Sequence, residues 1–420
     1  MKKYVKIALG LYAVFTILLY LYIFQWSDTN IPAALKGTSA DSATFMNEEQ
    51  QLLSEEYSEI RNFLFFLEAP FDWLFYFLIL VLGISKKMEN SGSAISKFSF
   101  LQKGIYLFYL SLLSFVAFLP FNFGGYYLSK KYGIATQSFS IWMKDEMIGF
   151  WIGFVIMLGI AWTFYYILSK SPKRWWLYLW LAMIPFTLFF MFVKPIIIDP
   201  LYNDFYPLKD KELEAKILLL AEQANIPADH VYEVNMAEKT NAMNAYVTGI
   251  GSNSRIVLWD TTLNKLNENE ILFIMAHEMA HYVEKHIYIG ITLYLLLALV
   301  GLWLTSKIMN FSIVRWGRAL QIKSINSLSV LPLFLCIISM LTFVSDPISN
   351  SVSRYQESRA DRYAMEMTND KEAAIRTFQE LAKSSLSQLN PPWLVKVFRY
   401  GHPTMIERIS TVEQYEEKEE

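Results

Sequence analysis

The sequence predicts a mainly α-helical, polytopic membrane protein in which about seven transmembrane helices carry a hydrophilic α+β domain that two of the spans interrupt. Three observations support this. The 420-residue chain is 54% hydrophobic, 16% aromatic and only 18% charged, with mean hydropathy +0.27, whereas soluble domains carry roughly 25% charged and 45–50% apolar residues. Seven stretches approach the roughly 20 apolar residues that cross a hydrocarbon core as a helix. Charge and all five histidines gather in two other segments, 194–286 and 345–420.

The apolar stretches run Val5–Phe24, Ala69–Ser85, Gly104–Phe123, Met147–Leu168, Trp175–Val193, Ile287–Leu304 and Leu328–Val344. Lys2, Lys3 and Lys6 ahead of the first are compatible with a secretory signal, but about 20 apolar residues exceed the 7–15 of a signal core, so this stretch reads as a permanent anchor. Pro185 and Pro332 interrupt two spans, which membrane helices tolerate when neighbours satisfy the freed carbonyls. Trp73, Tyr127, Trp142, Trp175 and Trp176 stand at span ends as an aromatic belt. The domain boundaries follow: 1–193 for five N-terminal helices with their loops, 194–286 and 345–412 for the two parts of the hydrophilic domain, 287–344 for the hairpin between them, and 413–420 for an acidic tail. The first loop, 25–68, reads as a connector that ends in an amphipathic helix over Asn47–Leu67.

Composition also excludes functions. A formal charge of −2 leaves no basic excess for phosphate, so no nucleic-acid partner is expected. A single cysteine, Cys336, rules out an intramolecular disulfide framework and a thiolate metal cluster.

The chemistry concentrates in Asn267–His286, NENEILFIMAHEMAHYVEKH. Asn267 and Glu270 make a capping box ahead of apolar residues at helical spacing, which predicts a helix. Within it, His277-Glu278-Met279-Ala280-His281 is an H-E-x-x-H motif: the two imidazoles lie one turn apart on one face, able to bind one zinc, with Glu278 beside them as general base. Zinc suits neutral imidazole and carboxylate ligands in a tetrahedral site with one open position. A third protein ligand is needed. His286 fails on geometry, because it lies about 140° around the helix from His281, and it reads instead as an interfacial histidine at the mouth of the sixth span. His230 reads as a surface residue. The helical segment SVSRYQESRADRYAMEM offers Glu357 and Asp361, four apart on one face, the first able to ligate and the second to support a histidine from behind. Glu284, three residues after His281, remains a rival third ligand.

HEMAH, then ESRAD beyond a two-span insertion, then Gly401-His402-Pro403-Thr404 with Arg408, resemble the integral-membrane zinc metalloproteases of the type I CAAX prenyl protease family. DPLYNDFYPLKDKEL and TNAMNAYVTGIGSNSRIVLWDTTL are similar too, and the likeness covers about Pro195 to Arg408. The resemblance implies a zincin-like α+β catalytic domain with a small sheet and one Zn2+ per chain. Its ligands would be His277, His281 and Glu357, with Glu278 as base and Asp361 as support. It further implies that His402 and Arg408 lie near the scissile carbonyl and that Asn244, Ala245 and Tyr246 belong to an edge strand that pairs with substrate. Tyr246, Val247 and Thr248 do favour a strand. The partners implied are the bilayer and peptide or protein substrates, membrane-associated or lipidated. Quality control of membrane proteins by a related zinc clan is an alternative reading, and a non-enzymatic transporter or scaffold is disfavoured by spans nearly free of charge.

Two arguments about orientation oppose one another. Lysine and arginine number 14 in the N-terminal flank and even-numbered loops against five in the first and third loops, which puts the catalytic region outside the cell. The family resemblance implies the cytosol. On the loop count, a cysteine introduced at Ser93 is cytoplasmic and shielded from a membrane-impermeant thiol reagent in intact cells. Labelling there reverses the assignment.

Overall fold

The computed structural model describes residues 2–248 and 255–416, so the acidic tail beyond 416 lies outside the described residues. The helices are α1 Lys2–Leu21, α2 Ser42–Phe45, α3 Glu48–Val81, α4 Ile84–Ile95, α5 Ser99–Lys131, α6 Phe139–Lys170 and α7 Trp175–Val193 in the first half. In the second half they are α8 Lys211–Gln223, α9 Asp260–Lys265, α10 Glu268–Val283, α11 His286–Trp316, α12 Leu331–Thr368, α13 Lys371–Ser385, α14 Trp393–Arg399 and α15 Met405–Glu413. Six of them are long and apolar enough to cross a membrane, and a seventh span forms if Trp175–Met191 and Lys194–Leu201, bent by 43°, count as one.

Each apolar stretch of the sequence lies mostly on one of these helices, but the bounds differ: the first runs past the end of α1, the second crosses the break between α3 and α4, and α5, α6, α11 and α12 extend beyond the stretches they carry. The amphipathic Asn47–Leu67 run and the second span are a single 34-residue helix, started by a capping box between Asn47 and Gln50. The seventh span continues unbroken through Glu357 and Asp361 as the 38-residue α12. One helix, with Pro347 inside it, therefore runs from the apolar segment to the charged residues.

The membrane core is built by α3, α4, α5, α6, α7, α11 and α12 around Ile79, Leu107, Phe164, Leu168, Trp175, Met309 and Val330. Polar ends are tied across it: Trp180 Nε1 donates to the Leu295 carbonyl at 2.7 Å, and Ser85 Oγ meets the Tyr106 hydroxyl at 2.8 Å.

Outside the spans, β1 Phe205–Pro207, β2 Val231–Val234, β3 Ala245–Thr248 and β4 Arg255–Trp259 make a sheet in the order β1-β2-β4-β3. β2 and β4 are parallel, and the two outer pairings are antiparallel. β3 is thus an edge strand. Ile217 of α8, Val231, Ile256 and Leu258 of the sheet, and Met275 and Met279 of α10 close one core. A second core joins Phe273 and Ala276 of α10 to Ala364 of α12, Phe378 of α13 and Ile409 of α15.

The first loop is more than a connector. Ala40 and Met46 are buried in that second core, Gln379 donates to the Ser39 carbonyl at 2.8 Å, and Asn390 donates to the Asn30 carbonyl at 2.7 Å. Its small residues allow it to lie flat on α13 and α15, which polarity alone could not indicate.

Gly83 joins α3 to α4 at φ 70, and a Cβ there would run into the Gln321 side chain. Gly83→Ala is expected to cost roughly 1–2 kcal/mol for the left-handed backbone alone, read as a lowered melting temperature of the purified protein in detergent.

Candidate active site

The capping box predicted at Asn267 and Glu270 is present and starts α10. One turn apart on that helix, the His277 and His281 Nε2 atoms lie 3.2 Å from each other. α12 packs across α10 through Ala276, Ala280, Ala360 and Ala364, all fully buried. These small side chains let the two helices approach until Glu357 reaches both rings: Oε2 is 3.2 Å from His277 Nε2 and Oε1 is 3.4 Å from His281 Nε2. Donor atoms of the three residues all lie within 4.8 Å of one another. Glu357 Oε2 is buried with no hydrogen-bond donor aligned on it, an arrangement that costs energy unless a cation meets it.

Each imidazole is backed on its other nitrogen. Asp361 Oδ1 lies 2.9 Å from His277 Nδ1, close but not aligned as a full hydrogen bond. Asp361 is gripped in turn by Arg408, with Nε to Oδ2 at 2.9 Å and Nη2 to Oδ1 at 2.5 Å. Thr404 and Glu407 form the capping box that starts α15 and aims Arg408 inward, and the Arg408 guanidinium stacks 4.2 Å from the Phe378 ring centroid. Arg408 therefore borders the cavity with two of its nitrogens already committed to a carboxylate.

His286 corrects the sequence reading. α10 ends at Val283, Lys285 turns into the left-handed region at φ 57, and α11 begins at His286. The continuous-helix angle does not apply. The ring folds back, buried, and its Nδ1 stands 2.9 Å from His281 Nδ1. His286 Nε2 is 3.0 Å from Glu284 Oε2, and Arg359 clasps Glu284 through Nε at 2.6 Å and Nη2 at 2.8 Å. If His281 ligates through Nε2, its Nδ1–H donates to His286 Nδ1 and the His286 Nε2–H donates to Glu284, which fixes every proton in the chain. Glu284, the rival ligand, faces away from the histidine pair and holds this relay. No Gly or Pro signals the break at Lys285, so the sequence hid it.

A cavity of about 340 Å3 opens beside these residues, lined among others by Asn244, Ala245, His277, Glu278, His402 and Arg408. Burial pushes the Glu278 carboxyl up to about 7, with Glu357 and Asp361 acting in the same sense and His277 and Arg408 against it. That value suits a base that takes and returns a proton near neutrality. The exposed His402 brings Nε2 to 3.4 Å from Glu357 Oε2. It is held in place by Gly401, whose missing Cβ would sit 3.1 Å from Ser353 Oγ on α12. Asn244 immediately precedes the edge strand. Its Oδ1 accepts from the Ala245 N–H at 2.9 Å, and its backbone is clamped by Thr262 Oγ1. Tyr246 lines a second cavity of about 580 Å3, which Asn244 shares with Met191, Lys194 and Ile287 near the broken fifth span. His230 is exposed and takes no part in the site.

The fold and this convergence of an H-E-x-x-H helix with a distant glutamate define a membrane-embedded metalloprotease. Residues 207–416 match Peptidase family M48, and residues 25–204 match the family described as CAAX prenyl protease N-terminal, five membrane helices. The chain belongs to peptidase family M48.

Among similar proteins, "Uncharacterized metalloprotease YhfN" of Bacillus subtilis is 51% identical over 420 residues, covering 100% of this chain and 98% of its own. "CAAX prenyl protease 1 homolog" of Dictyostelium discoideum is 30% identical over 72% of this chain and 71% of its own. "CAAX prenyl protease 1" of Saccharomyces cerevisiae is 27% identical over 74% and 71%. The crystal structure of S. mikatae Ste24p superposes with TM-score 0.81 at 23% identity over 97% of both chains, which establishes the shared fold.

The two carboxylates are separable by experiment. Glu357→Ala is expected to abolish metal retention. Glu284→Ala and His286→Ala should weaken it by roughly 10–100-fold, as loss of a group that orients a ligand does. Competition with a chromophoric chelator measures all three, and full retention in Glu357→Ala would exclude it as a ligand.

Proposed function

We propose that the protein is a zinc endopeptidase whose ligands are His277, His281 and Glu357 and whose general base is Glu278. The observation that carries this reading is the convergence of the two Nε2 atoms and the Glu357 carboxylate on one point, on the cavity that Glu278 and the edge strand also border. Nitrogens about 2.0–2.1 Å from a tetrahedral ion stand roughly 3.3–3.4 Å apart, and 3.2 Å separates the two here. Neutral imidazoles with one carboxylate are a donor set that zinc favours. Bound there, zinc supplies Lewis acidity and brings a water's pKa down to about 7.

The chain's own residues supply the rest. Glu278 accepts the proton of the attacking water and passes it to the leaving amine, a role its elevated pKa suits. His402, exposed on the cavity that Asn244 and Ala245 also line, donates to the carbonyl oxygen as negative charge develops on it. Arg408 acts through Asp361, holding the carboxylate that orients His277. The substrate lies extended along the outer side of β3 at Ala245 and Tyr246, its main chain replacing the Asn244 side chain that now caps the Ala245 N–H, while Asn244 marks the entry to the reacting carbonyl.

Substrates are membrane-associated or lipidated peptides. The likeness to proteins named CAAX prenyl protease supports this, as does an apolar cavity of about 600 Å3 between α1, α3 and α12 that reaches Phe398 of α14, close in sequence to His402.

Glu278→Gln should bind metal with unchanged stoichiometry, keep the melting temperature, and lose peptide cleavage by roughly 10²–10⁴-fold. Metal analysis beside turnover of a fluorogenic peptide checks both halves. Retained turnover would remove Glu278 from the mechanism.

A further inference from the structure

Beyond His402, the catalytic cavity continues onto a wall that includes Gln388, Arg399 and Tyr400. Arg399 is the last residue of α14, three before His402, so its place is tied to the site. Its Nη1 donates to Asn62 Oδ1 on α3, and its guanidinium carbon lies 5.6 Å from the Phe65 ring centroid. These partners are neutral, and the nearby charge acting on it is a second cation, Arg61, which itself contacts the Tyr57 ring and hydroxyl. Among the described residues neither arginine has a carboxylate partner.

Two other arginines around the site have a carboxylate, Arg408 in Asp361 and Arg359 in Glu284, while Arg354 donates to neutral acceptors, the carbonyls of Lys396 and Tyr400. Arg399 is different: burial, with Arg61 adding to it, pulls its pKa below the usual value. Arg399 is partly buried, and a cation partly withdrawn from water without a counter-charge is unfavourable. The same wall holds further unmet polar groups. Gln388 is 4% exposed with neither amide atom hydrogen-bonded, and Asn62 Nδ2 is also buried without a partner.

The metal residues themselves offer an anion little. Arg408 is already paired with Asp361, and Glu278 and Glu357 place two more carboxyl groups nearby. Of the two arginines that line this cavity, Arg399 is the one without a carboxylate partner.

We infer that Arg399, backed by Arg61 and flanked by the Gln388 amide, is a carboxylate-binding subsite of the peptidase, accepting an anionic group of the substrate on the His402 side of the cavity. The inference rests on the peptidase reading above. The carboxylate is either the substrate's own C-terminus or an aspartate or glutamate side chain near the scissile bond, and both present the same planar acceptor to a guanidinium.

The test uses the full-length, metal-loaded protein in detergent and three fluorogenic peptides of otherwise identical sequence: a free C-terminal acid, its carboxamide, and the carboxamide with one glutamate in the leaving segment. The wild type is expected to prefer an acid-bearing peptide over the plain carboxamide by about tenfold in kcat/KM, mostly through KM. Preference for the free acid identifies the C-terminus as the ligand, and preference for the glutamate peptide identifies a side chain. In Arg399→Gln that ratio should fall to near one, and in Arg399→Lys it should be partly kept. Equal use of all three peptides by the wild type overturns the inference without any variant. A ratio unchanged in Arg399→Gln overturns it as well, and a loss shared equally by all peptides reduces Arg399 to its structural contact with Asn62. Anisotropy of the same labelled peptides on Glu278→Gln makes the comparison by binding alone. Failure of wild-type cleavage would therefore count against the peptidase reading and leave this one separately decided.

Discussion

Everything in the catalytic half depends on the close crossing of α10 and α12. Four alanines, Ala276, Ala280, Ala360 and Ala364, have no measurable exposure and bring the helix backbones near enough for Glu357 to span both imidazoles. The cost of that approach is electrostatic. His277, Glu357, Asp361 and Arg408 are each less than a tenth exposed, and burying charge in this way is unfavourable unless every member is paired. Arg408 pairs with Asp361, Asp361 approaches His277, and Glu357 keeps one oxygen without an aligned donor. The set is complete only when a cation joins it, which makes folding of this interface and metal binding parts of one equilibrium.

The two imidazoles are supported in different ways. His277 leans on a carboxylate directly, and that carboxylate is locked by a buried arginine. His281 leans on a second imidazole, then on Glu284, and finally on Arg359, whose side chain is half exposed. One imidazole is thus set deep in the core, whereas the other is connected by a short chain of hydrogen bonds to solvent. Salt screens an exposed ion pair far more than a buried one, so the orientation of His281 is the more sensitive of the two to ionic surroundings.

What the sequence disclosed and what it concealed divide along a physical line. Local, periodic features were readable: the apolar stretches, the Asn267 capping box, two histidines at i and i+4, two carboxylates at i and i+4. Each is a property of one helix. That residues 245–248 form a strand was readable from Tyr246, Val247 and Thr248, whereas its place at the sheet edge was not. The hidden features all depend on chain reversals or long-range packing. His286 joins the site through a left-handed lysine, a conformation that non-glycine residues adopt too rarely to be anticipated. The docking of the first loop on α13 and α15 rests on small residues and backbone hydrogen bonds with no periodic trace. Arg399 sits beside the cavity only because α14 packs against α3, more than 300 positions away in sequence.

The continuity of α12 gives the membrane a direct part in the chemistry. Its first half belongs to the membrane core with Leu331, Leu333 and Ile337, and its second half presents Glu357 and Asp361. α10 is separated from α11, the partner of α12 in the transmembrane hairpin, by only Glu284 and Lys285. Both ligand-bearing helices are therefore rooted in the same pair of spans. The hydrophilic domain alone does not determine the distance between the H-E-x-x-H motif and Glu357. That distance is set jointly by the alanine crossing outside the membrane and by the packing of the hairpin inside it, and the inserted spans are accordingly part of the active site's framework.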